Sequence, residues 1–479
     1  MKTRKTRRKQ YRQLFLEQLE QRLPLAVIAT GDAWQTLQLG EPSTDYSRID
    51  PLGTDAEGNV YVEGLFRGPR LNLSPTDAAH DLISATPTVA ARFVAKYAES
   101  GEPIWSTVIE DDSLTSATFL AGLHDSADNT IIAGRFKGAL SPGTLTGNLA
   151  DGNIFVLGFD PNGNLTTEFS IVAPNSRNIG GGFDMAVTNN GDILVTGDVV
   201  GTIDFTPTND SNGEYTFSGN RQFVARFERD GTFLWAKFLR STDGSVFDAL
   251  QQPFLLTDDQ GNGYLVSDLL VGTTVDVDLD NDLTNNTVAV SAGPEQYGSF
   301  VVQFDSAGNY MDVSEFTYGP GFSELTVLNT ARGLDGSIYL AGIAWNVADF
   351  DHGPGVSKIA DTDTNFLARY AANGDLVWVR GFELQDDNCC SRESNFARGL
   401  EVDGNDNVHF AGFIQQSFDT DPDPNTVFMI DVGSNVNSTF NTTAFVTTLA
   451  ANGEFLAARS YAPQSASGWS RIWDLTVSD

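Results

Sequence analysis

From about residue 46 onward, apolar and polar residues alternate in runs of five to seven, bounded by Asp, Asn and Gly, with no helical period between them. One such run recurs six times: Gly58–Gly64, Asp128–Gly134, Gly191–Gly197, Gly261–Ser267, Gly336–Gly342 and Asp406–Gly412, starting at intervals of 63 to 75 residues. A second run lies between the copies. It comprises Phe93–Tyr97 with Gly101 and Trp105, Phe155–Phe159 with Gly163, Phe223–Phe227 with Gly231 and Trp235, Phe300–Phe304 with Gly308, Phe366–Tyr370 with Gly374 and Trp378, and Phe445–Leu449 with Gly453. A strand, a tight turn centred on Gly or Asn-Gly, and another strand is the signature of a β-hairpin.

Each copy therefore supplies four strands, a to d, typified by Gly399–Asp403, Asn407–Gly412, Ala444–Leu449 and Glu454–Tyr461. Four antiparallel strands repeated six times predict an all-β chain, a β-propeller of six full blades. The repeats fall at about 46–112, 113–176, 177–244, 245–321, 322–393 and 394–467, after a segment 1–26 that stands apart from a propeller spanning 27–479. A propeller blade usually takes about 40 to 50 residues, so each copy carries extra loop, and the excess sits between strands b and c. At the two ends, Gly31–Leu39 reads as a d strand and Arg471–Val477 as an a strand, which predicts an incomplete seventh blade shared by the termini. Either a seventh blade is left incomplete, or six blades close and these strands pack as extras.

The repeat resembles the bacterial β-propeller repeat of the GNVYVtGxfxGxxDFdpg…FVAKxxxxGxxxW type. Val60–Gly64, Gly201–Phe205, Ala348–Gly355 and Phe93–Lys96 carry the resemblance, which extends over about residues 46–479. Copies two and four depart from it: Gly158 and Gln303 replace the basic residue, and Phe169 and Val313 stand near the tryptophan position. The resemblance implies an exported scaffold or interaction domain and brings no catalytic residue with it.

Charge changes the picture in two ways. The net charge of −34 argues against nucleic acid as a partner, because phosphate contacts need clustered Lys and Arg. Residues 1–26 nevertheless hold eight basic and two acidic residues, so a basic head precedes a strongly acidic body. No run of about 18 apolar residues is present, so no helical membrane span is expected. The head reads as a targeting segment with a short amphipathic helix over about residues 10–24. Leu14–Ala26 resembles the LExLExRxLLA motif that follows a basic run in exported planctomycete proteins, with Pro24 breaking the leucine run. This resemblance implies an exported or cell-surface bacterial protein.

Candidate chemistry is sparse. Trp105, Trp235 and Trp378 read as aromatic packing between blades, and no cofactor follows from them. His80, His124, His352 and His409 fall in separate blades without zinc-ligand spacing and read as surface or turn residues. Asp276, Asp278, Asp280 and Asp282 alternate along one stretch, an array able to surround Ca²⁺ with oxygens; Asp204, Asp349 with Asp351, and Asp419, Asp421 and Asp423 follow strand b in other copies. Solvated acidic turns are the competing reading. Cys389 and Cys390 are adjacent, about 3.8 Å apart at Cα, so a bridge between them would be strained; free thiols and a link to another chain stay open.

In an up-and-down blade the b–c and d–a connections emerge on one side, which predicts a single acidic face. The expected function is an exported or cell-surface scaffold that binds extracellular protein or polysaccharide through that face without catalysis. A structural surface component and a propeller enzyme of the lyase or quinoprotein type are the alternatives.

Overall fold

The computed structural model describes residues 25–30, 33–38, 46–74, 80–111, 118–147, 153–173, 182–206, 213–241, 253–269, 272–278, 289–291, 296–318, 323–345, 348–351, 358–359, 364–383, 398–414, 417–423, 425–430, 443–461 and 475–477. Every element among them is a strand. The expected helix over 10–24 lies outside the described residues, as do Asp280, Asp282, His352, Cys389 and Cys390.

Six antiparallel four-stranded sheets follow one another in the expected order. Blade one is Tyr46–Thr54, Val60–Arg67, Ala90–Tyr97 and Pro103–Asp111. Blade two is Thr118–His124, Thr130–Phe136, Asn153–Phe159 and Leu165–Ile171. Blade three is Phe183–Val187, Ile193–Asp204, Glu214–Phe227 and Phe233–Ser241. Blade four is Phe254–Thr257, Gly263–Leu269, Gln296–Phe304 and Tyr310–Glu315. Blade five is Ser323–Arg332, Ile338–Trp345, Thr364–Tyr370 and Leu376–Glu383. Blade six is Gly399–Val402, Val408–Ile414, Thr443–Leu449 and Phe455–Tyr461.

The two repeated runs meet in register. The residue closing strand b faces the leading phenylalanine of strand c in every blade: Gly64 and Phe93, Gly134 and Phe155, Gly197 and Phe223, Ser267 and Phe300, Gly342 and Phe366, Gly412 and Phe445. All six phenylalanines are fully buried. A side chain on the glycine would meet its neighbours: a Cβ on Gly342 would lie 2.0 Å from the Thr326 carbonyl oxygen and 2.9 Å from the Phe366 ring.

The a–b and c–d connections are twelve copies of one turn. In the first, Asp55 N donates to Asn59 O at 3.0 Å and Gly58 N to Asp55 O at 2.9 Å. The Asp55 carboxylate also accepts from Asn59 N at 2.8 Å and from Asn59 Nδ2 at 2.9 Å. The fourth residue has positive φ in all twelve, and it is glycine in ten, with Asp128 and Asp406 in the others. That backbone region is hard for any residue with a Cβ, which is why Asp-x-x-Gly-Asn punctuates the sequence.

Inner strands a follow one another around one axis and are tied by side chains. Leu255 N donates to Asp184 Oδ2 at 2.8 Å, Thr257 Oγ1 to Val187 O at 2.9 Å, and Asn329 Nδ2 to Arg398 O at 2.7 Å. The circle continues through Thr476–Val477, which lies between the inner strands of blades six and one, with Thr54 Oγ1 donating to Val477 O at 3.0 Å. Leu25–Thr30 pairs in parallel with Thr476–Val477 and antiparallel with Ala33–Gln38, giving a three-stranded terminal sheet. The two predicted end strands thus share a sheet. Leu25–Thr30 between them was not expected: this strand starts two residues before the boundary drawn at 27, and Ala33–Gln38 is third from the axis rather than fourth.

The extra b–c length is folded. It forms short hairpins such as Gly138–Ser141 with Thr146–Gly147, Thr274–Asp276 with Ala289–Ser291, and Ala348–Asp349 with Lys358–Ile359. Several pair with the outer edge of the preceding blade: Leu140 opposite Asp111, Asp204 opposite Val172, Asp276 opposite Arg240. The described parts of these loops therefore lie against outer strands and cover sheet edges that would otherwise carry unpaired backbone groups.

Candidate functional site

The basic and aromatic residues of the repeat turn out to be clamps. In blades one, three and five the basic residue of strand c faces a tryptophan of strand d: Lys96 and Trp105, Arg226 and Trp235, Arg369 and Trp378. Each indole donates to a carbonyl in the c–d turn of the next blade: Trp105 Nε1 to Pro161 O at 3.0 Å, Trp235 Nε1 to Ser306 O at 3.1 Å, Trp378 Nε1 to Ala451 O at 2.8 Å. Arg226 and Arg369 reach the same turns, at 2.8 Å from Ser306 O and 2.6 Å from Ala451 O. The expected packing role of the tryptophans holds. Register places Thr167, Asp312 and Ala457 at the equivalent site in blades two, four and six, so Phe169 and Val313 are offset from it.

Two histidines depart from the sequence reading. His124 stacks on Tyr61 with ring centroids 4.0 Å apart, between blades one and two. His409 is held by Asp403 Oδ2 at 3.1 Å and Thr448 Oγ1 at 2.9 Å. Burial lowers the pKa of both imidazoles against the opposing pull of their aspartates. His409 and Thr448 occupy the positions that Tyr61 and Lys96 hold in blade one, where Lys96 Nζ lies 2.8 Å from Asp55 Oδ2. The Thr448–His409–Asp403 chain is thus a polar version of a blade-to-turn tie.

The acidic candidates separate into two groups. Asp276 is 3% exposed and receives Arg240 Nε at 3.0 Å and Nη2 at 2.7 Å, an ion pair between blades three and four. Both contacts are to Oδ2, and Arg240 already neutralises the charge that a cation at Asp276 would seek. Asp278 is partly buried two residues on. Asp204, Asp349 and Asp419 cap turns in the hairpins, accepting from Thr206 N at 2.8 Å, Asp351 N at 3.2 Å and Asp421 N at 3.1 Å. Among the described residues no three His, Cys, Asp or Glu side chains converge as metal ligands would.

Asp421 and Asp423 line an open cleft of about 600 Å³ in the outer wall between blades five and six. Its other walls are Arg380 from blade five, Thr426 from the hairpin, and Glu454 and Phe455 from blade six. Thr426 Oγ1 donates to Asp421 Oδ2 at 2.6 Å, and Asp423 N to Asp421 Oδ1 at 3.0 Å. Hydrogen bonds from Asn425 hold the Asp423 carboxyl below its usual pKa. Arg380 is fixed by the Gly453 carbonyl at 3.1 Å and lies 5.4 Å over the Trp378 ring. An apolar lip adjoins the acids: Phe428 and Phe455 have centroids 5.1 Å apart, and Phe428 is 43% and Leu456 52% exposed. Three carboxylates, one guanidinium and aromatic edges make a surface that offers hydrogen bonds and ring contacts to a hydroxyl-rich or peptide ligand. Sequence reading named Asp421 and Asp423 but missed Arg380 and Glu454, which reach the cleft from strand and turn positions with no marker of their own.

No family model and no curated protein matches the chain. Among solved structures it is similar to a protein of unknown function from Bacteroides caccae, at 11% identity over 70% of this chain and 93% of that one, with a TM-score of 0.31. It is also similar to the apocarotenoid oxygenase of Synechocystis, at 10% identity over 87% and 92% with a TM-score of 0.34. A mannose phosphorylase from Leishmania mexicana is a third, at 10% identity over 63% and 82% with a TM-score of 0.26. These values assign no activity to the chain.

Proposed function

We propose that this chain is an exported or cell-surface β-propeller that binds an extracellular protein or polysaccharide without catalysis, through acidic hairpins on its outer wall. The observation that carries the reading is the open cleft of about 600 Å³ between blades five and six, where Asp421, Asp423, Glu454 and Arg380 stand beside exposed aromatic carbon. Among the described residues the a–b and c–d turns are near-uniform and bonded within themselves, whereas the b–c hairpins differ from blade to blade, so variation in ligand contact is concentrated in the hairpins. Export rests on the basic head at residues 1–26 and its likeness to a planctomycete motif.

The test uses the full chain, immobilised and challenged with a panel of bacterial polysaccharides and secreted proteins. Binding should be lost in the triple variant Asp421→Asn, Asp423→Asn, Glu454→Gln while its melting temperature stays put. A chain that captures nothing on the panel, or a variant that binds as well as the parent, overturns the proposal. Export is checked by fractionating cells that make a chain lacking residues 1–24; delivery of that chain to the surface would remove the targeting role.

A further inference from the structure

The ring is closed by a strand with little to hold it. Leu25–Thr30 and Thr476–Val477 come from opposite ends of the chain and meet over two residue pairs, Ile28 with Thr476 and Ala29 with Val477. The shortest ladders within blades one to six, in blades four and six, have four pairs. The seams beside the closing strand are also thin. Where blades three and five offer Arg226 with Trp235 and Arg369 with Trp378 to the next blade, blade six offers Thr448 with Ala457, and Ala457 is exposed. Among the described side chains this seam is filled by Ala411, Ala444, Val446 and Leu475, with Tyr461 at its border. On the far side nothing described lies within 4 Å of a Cβ placed on Gly101 in the c–d turn of blade one. At the equivalent glycines 163, 231, 308 and 453 a ring atom lies 2.7 to 3.0 Å from such a Cβ. An element with a short ladder and few apolar neighbours opens at lower free energy than the rest of the fold.

This strand also follows directly on the basic head. Between Lys2 and Arg12 stand seven basic residues and no acid, then Leu14, Phe15, Leu16, Leu19 and Leu23, and Leu25 begins the strand. Basic residues ahead of an apolar stripe suit the surface of an anionic bilayer, and the leucines favour lipid over nucleic acid. The rest of the chain is more acidic than the net −34 of the whole and is repelled by the same surface. Attraction and repulsion therefore meet at the short stretch between Arg22 and Leu25.

We infer that Leu25–Thr30 is a latch: adsorption of the head on a bilayer of acidic phospholipid draws it off Thr476–Val477 and holds the ring open, and release lets the ring close. The inference rests on the reading of residues 1–24 as a targeting head and adds what that head does to the fold. It places completion of the propeller after release from the membrane surface.

Hydrogen exchange of the full chain is followed with phosphatidylglycerol–phosphatidylcholine vesicles and with phosphatidylcholine vesicles, and co-sedimentation reports binding. On the acidic vesicles exchange at Val27–Ala29 and Thr476–Val477 should rise about tenfold or more, with the inner strand Phe183–Val187 unchanged. Adding NaCl to about 1 M should reverse both binding and opening, because charges are then screened beyond about 3 Å. Lys5→Gln, Arg7→Gln, Arg8→Gln and Lys9→Gln together should abolish both. A staple, Ala29→Cys with Val477→Cys in a chain carrying Cys389→Ser and Cys390→Ser, joins Cα partners of one ladder. Neighbouring strands lie about 4.8 Å apart, within disulfide range. Oxidised, the staple should bind the vesicles without the rise; reduced, it should behave as the parent. Binding without a rise in the parent overturns the latch and leaves the targeting head standing. No binding to acidic vesicles overturns the inference too, and fractionation of the chain lacking residues 1–24 then judges the head on its own. A rise spread evenly over all six blades, the same rise in the oxidised staple, or an equal rise with duplex DNA in place of lipid would each overturn the inference as well.

Discussion

The inner ring holds an acid whose titration reads out the packing of blades three and four. Asp184 sits on the inner strand of blade three, where burial pushes its carboxyl pKa up to about 7 against the opposing pull of the Leu255 and Met185 backbone N–H groups. In the unfolded chain the same group titrates near 3.8. Between those values the native state holds a proton that the unfolded state has lost, so stability is greatest below about pH 4, falls as pH rises to about 7, and is flat above. A shift of about three units corresponds to about 4 kcal/mol. Residue Asp184 keeps some solvent contact, so about 2 kcal/mol is the expected swing. Asp184→Asn keeps an oxygen to accept Leu255 N and removes the charge. Urea unfolding from pH 4 to pH 8 should show parent and variant alike at pH 4, with the variant more stable by about 2 kcal/mol at pH 8. Parallel curves for the two chains would refute the burial of this carboxyl.

Further outcomes follow from the turns and the interfaces. Gly101 and Gly308 both have positive φ, 86° and 78°, but space is open around the first, and Trp235 lies 3.0 Å from a Cβ on the second. Gly101→Ala should therefore cost about 1 kcal/mol of backbone strain, and Gly308→Ala about 2 to 3 kcal/mol, measured by chemical denaturation; equal costs would deny the tryptophan clamp. Arg240→Leu leaves the buried Asp276 unpaired and should destabilise by about 3 kcal/mol at pH 7, with much of the loss recovered in the double variant with Asp276→Leu. At low pH the turn acids take over. Burial raises Asp55, Asp125 and Asp403, but hydrogen bonds and cationic neighbours outweigh it and hold all three below the usual range. The stability they contribute is present above about pH 4 and lost as pH falls through their native pKa values, so Asp55→Asn should flatten the acid limb of the melting-temperature profile.

The fold could be read because each blade repeats two short-range rules. A five-residue turn needs positive φ at its fourth position, and a phenylalanine packs best across from a glycine, so both leave marks in nearly every copy, with Ser267 the exception across the strand and Asp128 and Asp406 standing in for glycine in the turn. The hairpins left no comparable mark. Their pairing partner, such as Asp111 for Leu140 or Arg240 for Asp276, lies in the preceding blade, and nothing local to Leu140 or Asp276 announces it. The same reason hid the histidines: His124 and Tyr61 meet only because neighbouring blades pack face to face. The acidic residues were visible as a composition, but their fates differ by contact. Asp276 is locked by an arginine, Asp204 and Asp349 cap turns, and Asp421 and Asp423 line open space. The register of Asp312 opposite Gln303 fixes the tryptophan position in blade four, which counting along the sequence narrows only to Val313 or its neighbours.

Amide hydrogen exchange of the full chain, alone and saturated with whatever the binding panel identifies, tests the central claim most directly. Protection confined to the Val379–Gly381 strand, the Asp421–Thr426 hairpin and the Gly453–Phe455 turn is the predicted result. Protection centred instead on the inner strands around the axis, or on the a–b turns such as Asp55–Asn59 and Asp403–Asn407, would contradict it and move the functional site to the channel or to the rim of turns around it.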